Sequence, residues 1–377
     1  MTERPYKILQ ILPRLDTGGA ERVVIETAEA LTAIGHKCII ACDGGALTQA
    51  ALRAGAEILT LPLASKSPFT MRRNAGRLVK FIRAEKIDLV HAHSRAPAWS
   101  AFWAAKRTGT PFVTTYHGTY NENAPFKRRY NGVMASGDRV IAVSHFIAGE
   151  VRARHGVGDD RLRVIPGGVD LQKFDPASVL GERVAKLARD WRLNVDAPTI
   201  LLPGRLTGWK GQGLLISALP LMRHSDAIAV LVGSDQGRES FAQGLIDQAQ
   251  ALSVADRLRL AGHVEDMPAA LMLADVVVNA STAPEAFGRT IVEAQAMGRL
   301  VIASNHGGAC ETVEDGLTGF LVPPGDAKAL AAALDMALDF SAAARIAWGA
   351  QARAMMAARY SVAAMQNAVL SVYAELL

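Results

Sequence analysis

Short apolar runs, each closed by a glycine or polar turn and followed by a stretch whose apolar positions recur every three or four residues, set the rhythm of this chain. Strand-like runs fall at residues 7–12, 37–41, 57–61, 89–92, 111–116 and 139–143, and the alternation restarts at 199–202, 227–232, 258–261, 276–279, 300–303 and 319–322. Runs that are apolar on both faces and separated by helical segments predict parallel sheets covered by helices, and two such series predict two α/β domains. The sequence IPGGVD at 165–170 interrupts the rhythm. We place the domains at 1–170 and 171–355, with 356–377 a terminal helix expected to pack back toward the first domain. There is no internal repeat or low-complexity tract.

Composition narrows the class. A chain of 377 residues, 50% hydrophobic and 20% charged, is long enough for two well-packed domains. No run approaches 18 apolar residues and the opening MTERPYK lacks the apolar core of a signal peptide, so a cytoplasmic protein is expected. Cys38, Cys42 and Cys310 are too few for a disulfide framework and form no zinc-site spacing; reduced structural thiols are expected.

Charge is divided unevenly. Residues 1–170 hold 24 Lys and Arg against 15 Asp and Glu, a net +9, and the remainder holds 17 against 21, a net −4. The excess concentrates in Lys66, Arg72, Arg73, Arg77, Lys80, Arg83 and Lys86, opposed only by Glu85, on a predicted helix whose Leu78, Val79 and Ile82 can face inward. Such a face suits anionic headgroups or a phosphorylated acceptor. Trp99, Phe102, Trp103, Lys106 and Arg107, with Lys127, Arg128 and Arg129, form a second candidate; a solvated face over core aromatics is the plain alternative for both. No nucleic-acid module is readable.

The most informative chemistry lies at 284–293, PEAFGRTIVE. The run at 276–279 reads as a buried strand, 281–287 as the loop at its carboxyl end and Gly288 onward as an amphipathic helix. Free amides at such a helix start attract phosphate. Glu285 lies in the loop, while Glu293 on the helix can accept hydrogen bonds from vicinal hydroxyls such as those of a ribose. A continuous helix would separate positions eight apart by about 12 Å along its axis. That exceeds the roughly 5 to 9.5 Å of a glycosidase pair.

LLPGRLTGWKG at 201–211 places Arg205 and Lys210 on a glycine-bearing loop after an apolar strand. A planar donor fork and a mobile point charge together can neutralise a departing diphosphate. NHGGACE at 305–311 and VEDGLTGFLVPPGD at 313–326 add a glycine-rich turn and a hairpin-like segment. In the first half, KILQILPRLDTGGAER at 7–22 reads as strand, glycine turn and helix, where Gly18 and Gly19 admit close backbone approach of a ligand. A dinucleotide dehydrogenase is the rival for such a turn, but the G-x-G-x-x-G spacing is missing.

His91, His93 and His117 end predicted strands. A metal would need further ligands, and the chain has no Asp-x-Asp pair to hold a divalent cation on diphosphate oxygens. No metal and no other cofactor is expected. His91 and His93 are open to two readings, as polar residues of a strand end or as part of an acceptor site.

Taken together, the Glu285/Glu293 pair, the loop from Gly204 to Gly211, IPGGVD at 165–170 and the run from Gly307 to Asp326 resemble glycosyltransferase family 4, the large retaining group of the GT-B fold. The resemblance covers nearly the whole chain. Cys310 departs from it, since many members carry proline there, which leaves the subfamily open.

The resemblance implies two Rossmann-like doubly wound sheets facing across a cleft, with the nucleotide sugar on the second domain and the acceptor on the first. It implies that Glu293 holds the ribose, Arg205 and Lys210 the diphosphate and Glu285 the sugar hydroxyls. Backbone around Phe287, Gly288 and Thr290 would assist, and the Val264 backbone would meet the base. Gly18 and Gly19 would face the diphosphate and acceptor, and His117 the transferred sugar. The expected activity is metal-independent, retaining transfer of a hexose from a UDP- or GDP-linked donor to a glycan or glycolipid acceptor such as lipopolysaccharide core, at the inner face of the cytoplasmic membrane. A nucleotide-sugar epimerase of the same fold and a non-catalytic sugar-nucleotide-binding protein are the alternatives.

Overall fold

The sheet that carries the amino-terminal half runs β3-β2-β1-β4-β5-β6-β7, with every neighbouring pair parallel. Its strands are β1 (Lys7–Ile11), β2 (Lys37–Cys42), β3 (Glu57–Thr60), β4 (Leu89–Ala92), β5 (Phe112–Tyr116), β6 (Arg139–Ala142) and β7 (Leu162–Val164). The computed structural model describes residues 4–16, 18–194 and 196–377. Residues 1–3 of the opening segment and Thr17 of the first glycine turn fall outside it.

The second sheet has strands β8 (Thr199–Pro203), β9 (Ile228–Val232), β10 (Leu258–Gly262), β11 (Val276–Asn279), β12 (Leu300–Ser304) and β13 (Phe320–Val322), in the order β10-β9-β8-β11-β12-β13, again all parallel. In both sheets the order reverses beside the first strand, the point at which open α/β sheets bind ligands beyond the strand carboxyl ends. Central strands are buried on both faces because helices cover both sides: all residues of β4, β5, β8, β9, β11 and β12 are buried.

The chain divides into two units, one of residues 1–168 with 362–377 and the other of residues 169–361. The terminal helix Val362–Ala374 therefore belongs to the first unit. There Met365, Val369, Val372 and Tyr373 join a core with Ile8, Leu31, Cys38 and Leu89. Glu375 fastens its end: the carboxylate accepts from Arg139 at 2.5 Å and from Arg163 at 2.9 and 2.7 Å, which pulls its pKa down to about 2. The helix Ala342–Arg359 stays in the second unit, where Arg353 donates to the Ala296 carbonyl at 2.6 Å.

Two local readings change. The segment 313–326 is not a hairpin. Glu314 N–H donates to Thr318 Oγ1 at 3.0 Å, Gly316 N–H to Gly319 O at 2.9 Å and Leu321 N–H to the Asp315 carboxylate at 2.8 Å. These bonds close a turn that feeds β13 into parallel pairing with β12. The strand β7, absent from the pattern reading, is three residues long, and only its Leu162 is fully buried.

Cys38 and Cys42 are buried, Cys310 is exposed, and all three are free thiols. Burial pushes the Cys38 thiol up to about 12, although a hydrogen bond from Gln10 opposes this. Cys310 is thus a surface thiol rather than a structural one. No helix among the described residues is long and apolar enough to cross a membrane.

Candidate functional site

Lys210 and Glu285, 75 positions apart, meet at 2.5 Å. Lys210 closes the short helical turn Gly208–Lys210 after β8, and Glu285 sits in the loop between β11 and the helix Arg289–Ala296. Their side chains are only 15% and 9% exposed, so the pair is largely out of water. Glu285 Oε1 also accepts from Ser281 Oγ at 2.6 Å and from Asn279 Nδ2 at 3.3 Å. Lys210 Nζ additionally lies over the Trp209 ring, 4.3 Å from its centroid, a favourable placement for a cation.

Close backbone contacts clamp this loop on two sides. Gly211 has φ +76°, and a Cβ there would lie 1.9 Å from Ala280 O. On the other side Gly308 N–H donates to Glu285 O at 2.8 Å, and a Cβ on Gly307 would lie 2.6 Å from that same carbonyl. His306 Nε2 donates to Ser281 O at 2.8 Å and Thr282 N–H to Trp209 O at 2.7 Å. Glycine is required at 211 and 307 because backbone meets backbone.

Gly288 adopts φ +87° and is the N-cap of the helix Arg289–Ala296, where a glycine has no side chain of its own to cap the first amides. Thr290 Oγ1 accepts from Asn279 Nδ2 at 3.3 Å, tying the helix start to the end of β11. One turn on, Glu293 is 8% exposed and faces Arg289 Nε at 3.4 Å. Phe287 packs against Tyr360 with ring centroids 5.6 Å apart and planes tilted by 55°, so its side chain lies in the interior and its backbone is what can serve a ligand. Arg205 is exposed on the loop after β8, and its carbonyl accepts from Gln212 Nε2 at 2.9 Å. Val264 is half-buried in a different loop, after β10.

The second unit thus brings Lys210, Glu285, Gly288 and Thr290 together, with Arg205 on the loop that carries Lys210. Asn279, Ser281 and Arg289 complete the cluster and escaped the motif reading. Asn279 and Ser281 follow an all-valine strand run and signal where its polar end begins; Arg289 precedes Glu293 by four positions, a helical ion-pair spacing.

In the first unit His117 lies just past β5 and is half-buried. Its Nε2 meets His93 Nδ1 at 3.0 Å, and His93 Nε2 meets Gln10 Oε1 at 3.1 Å. Burial holds His117 down to about 4 and His93 well below the ordinary imidazole value, so both rings are neutral near pH 7. His91 is 1% exposed, with Nδ1 at 2.6 Å from Tyr373 Oη and Nε2 at 2.7 Å from Thr115 Oγ1. It is an interior hydrogen-bonding residue that ties the terminal helix to the sheet.

Gly18 and Gly19 lead into the helix Gly19–Ala33. Gly18 has an extended φ of 179°, and a Cβ at Gly19 would meet nothing within 4 Å. The backbone of the fold does not itself demand glycine at 19.

The cations of the helix Pro68–Glu85, Arg72, Arg73, Arg77, Lys80 and Arg83, are exposed, while Met71, Ala75, Leu78 and Ile82 are buried. Phe69, 83% exposed, falls on the same side as the cations by helical spacing. Trp99 packs on Phe102 and on Trp103, Phe102 packs on Phe112, and Lys106 Nζ lies 5.0 Å from the Phe102 ring centroid; Lys106 and Arg107 are exposed.

Residues 17–173 match the model of Glycosyltransferase Family 4 and residues 184–355 that of Glycosyl transferases group 1. The chain is 30% identical to the D-inositol 3-phosphate glycosyltransferase of Xylanimonas cellulosilytica, over 96% of its own length and 92% of the relative's. Among solved structures it resembles a glycosyltransferase from Rickettsia africae, with 35% identity, TM-score 0.91 and coverage of 99% and 98% of the two chains. Anabaena HepE, solved in complex with UDP and glucose, shares the fold at 24% identity and TM-score 0.86, with coverage of 98% and 100%.

Proposed function

We infer that this chain, which belongs to glycosyltransferase family 4 and has the GT-B fold, moves a hexosyl group from a nucleotide sugar to a glycan or glycolipid hydroxyl. The observation that carries this reading is the dry Lys210–Glu285 pair, in the loop that leads into a helix with glycine at its N-cap, with Arg205 on the loop that supplies Lys210. Lys210 and Arg205 face the diphosphate together with the amides near Gly288 and Thr290. Glu285, held through one oxygen, turns the other toward sugar hydroxyls. Glu293 accepts from the ribose hydroxyls, and Val264 backbone meets the base.

Transfer breaks the bond between the anomeric carbon and the diphosphate oxygen, which leaves with the electron pair. The acceptor oxygen bonds to that carbon on the same face and passes its proton to the departing diphosphate oxygen, so configuration is retained. Charge grows on the leaving group, and fixed cations in a dry site lower the barrier most where charge grows. Two cations on one loop make a metal unnecessary for this task. Among the described residues no group of three or more His, Cys, Asp and Glu is arranged to hold a metal ion. In the first unit, taken by itself, the Gly18–Gly19 turn and His117 are the candidate ligand contacts.

Ribose contacts exist equally in the ground and transition states, whereas contacts to the leaving diphosphate strengthen as the bond breaks. Glu293→Ala is therefore expected to raise the KM for donor by about tenfold with kcat little changed. Arg205→Ala is expected to lower kcat by about 100-fold at saturating donor. Both are read by steady-state transfer, also run in excess EDTA, where turnover should persist. Equal KM effects in both variants, or EDTA loss restored by Mg²⁺, would overturn the assignment; donor conversion without acceptor would favour an epimerase.

The acceptor we propose is lipid-linked, such as lipopolysaccharide core, reached from an anionic membrane surface. Each exposed cation near such a surface contributes about 1 kcal/mol, weakened beyond a Debye length of about 8 Å at physiological salt. Phe69 beside that face adds an apolar anchor. In co-sedimentation, wild type is expected to follow anionic but not neutral vesicles, and a variant with Arg72, Arg73, Arg77 and Lys80 changed to Gln to stay in solution. Equal sedimentation of both proteins would make this helix a solvated face.

A further inference from the structure

Gln10 is a polar residue in the middle of the apolar strand β1 and is 0% exposed. Its amide nitrogen donates to the Val24 carbonyl at 2.9 Å and to Cys38 Sγ at 3.3 Å. A carbonyl oxygen can only accept, so the amide cannot flip without setting two oxygens against each other. Gln10 Oε1 is therefore the atom that faces His93 Nε2 at 3.1 Å, and that nitrogen must carry the proton. A neutral imidazole has one N–H, so His93 Nδ1 is the acceptor in the 3.0 Å bond to His117 Nε2. His117 Nε2 must then be the donor. Its Nδ1 is left with a lone pair and has no partner among the described residues.

We propose that Gln10 and His93 are positioning residues that transmit the polarity of the Val24 carbonyl to His117 and hold it as the Nε2–H tautomer, so that Nδ1 accepts a hydrogen bond from a substrate hydroxyl. The chain of bonds crosses three strands, from β1 through β4 to the end of β5, and every member but His117 is fully buried. Burial keeps both rings neutral, and neutrality makes the logic of one proton per ring hold. The group opposite Nδ1 must be a donor, which selects a sugar bearing a free hydroxyl there over one whose oxygen is methylated, removed or ionised. This rests on the transfer reading above for the identity of that hydroxyl, but not for the tautomer itself.

The test is a long-range ¹H–¹⁵N correlation spectrum of the ¹⁵N-histidine-labelled full chain near pH 7, with His117→Gln identifying one ring among nine. The expected result is a single His117 pattern with Nε2 protonated and Nδ1 bare. A His117 protonated on Nδ1, or averaging between tautomers in the wild-type protein, overturns the proposal whatever the variants do. His93→Asn, which can place an amide oxygen near the former Nδ1, is expected to preserve the pattern and kcat to within about threefold. His93→Leu is expected to release the ring and lower kcat by about 10- to 100-fold, the scale on which orienting partners of histidine act elsewhere, with the donor KM little changed. Equal kcat losses in the Asn and Leu variants would overturn the positioning role. A pinned tautomer combined with transfer insensitive to His117→Gln would instead keep the relay and remove His117 from the reacting sugar.

Discussion

Lys210→Met is expected to damage this protein twice, in stability and in turnover, and the two effects separate in a double variant. Removing the ammonium leaves the Glu285 carboxylate, whose side chain is 9% exposed, without its cation. Breaking one partner of a buried pair typically costs about 3–5 kcal/mol, because a charge is stranded rather than because the pair was strong. The bonds from Ser281 at 2.6 Å and Asn279 at 3.3 Å should keep the cost toward the lower end. Turnover should fall by about 100- to 1,000-fold, the range for deleting one fixed donor to developing negative charge. In Lys210→Met with Glu285→Gln the stranded charge is gone, so most of the stability should return while turnover stays low. Denaturant unfolding and transfer kinetics on the three proteins check this. A double variant no more stable than the single one would mean that Lys210 stabilises through packing on Trp209 and not through the carboxylate.

The pair also marks the limit of what the sequence tells. Backbone architecture was legible because strands buried on both faces are apolar throughout: 89–92 and 276–279 match β4 and β11 residue for residue. The strand β7 was hidden because it is short, with Arg161 before it, Arg163 inside it and one fully buried residue. Glu285, Lys210 and Arg205 were legible as residue types at loop positions before helices. Their mutual arrangement was not, since contact between positions 75 apart depends on how β8 and β11 lie side by side. Ser281 and Asn279 pass for ordinary loop and strand-end residues until the carboxylate they serve is located. Gln10 did carry a signal, a lone amide inside an apolar strand, but what it serves lies just past β4 and just past β5.

Glycine is where sequence and structure diverge most, and there the second large effect is expected. Gly211 and Gly237 look alike in the sequence and have nearly the same backbone, with φ +76° and +77°. Around Gly237 there is open space, so Gly237→Ala should cost only the strain of a left-handed L-residue, about 1–2 kcal/mol. At Gly211 the same Cβ would sit 1.9 Å from Ala280 O and 2.5 Å from Ala280 C, backbone atoms anchored at the carboxyl end of a buried strand. Neither atom can swing away as a side-chain tip could. Relief must come from parting the loop after β8 from the loop after β11, which are held together by the Thr282 N–H bond to Trp209 O at 2.7 Å and by the Lys210–Glu285 pair. Gly211→Ala is therefore expected to cost more than 4 kcal/mol, about the whole margin of many domains, and to leave the second unit unfolded or without transfer activity. Thermal unfolding of both variants, alongside transfer assays on whatever stays soluble, measures the difference between strain and collision. Similar losses in the two would mean that the loops part easily and that the Lys210–Glu285 pair is not rigidly placed by its backbone.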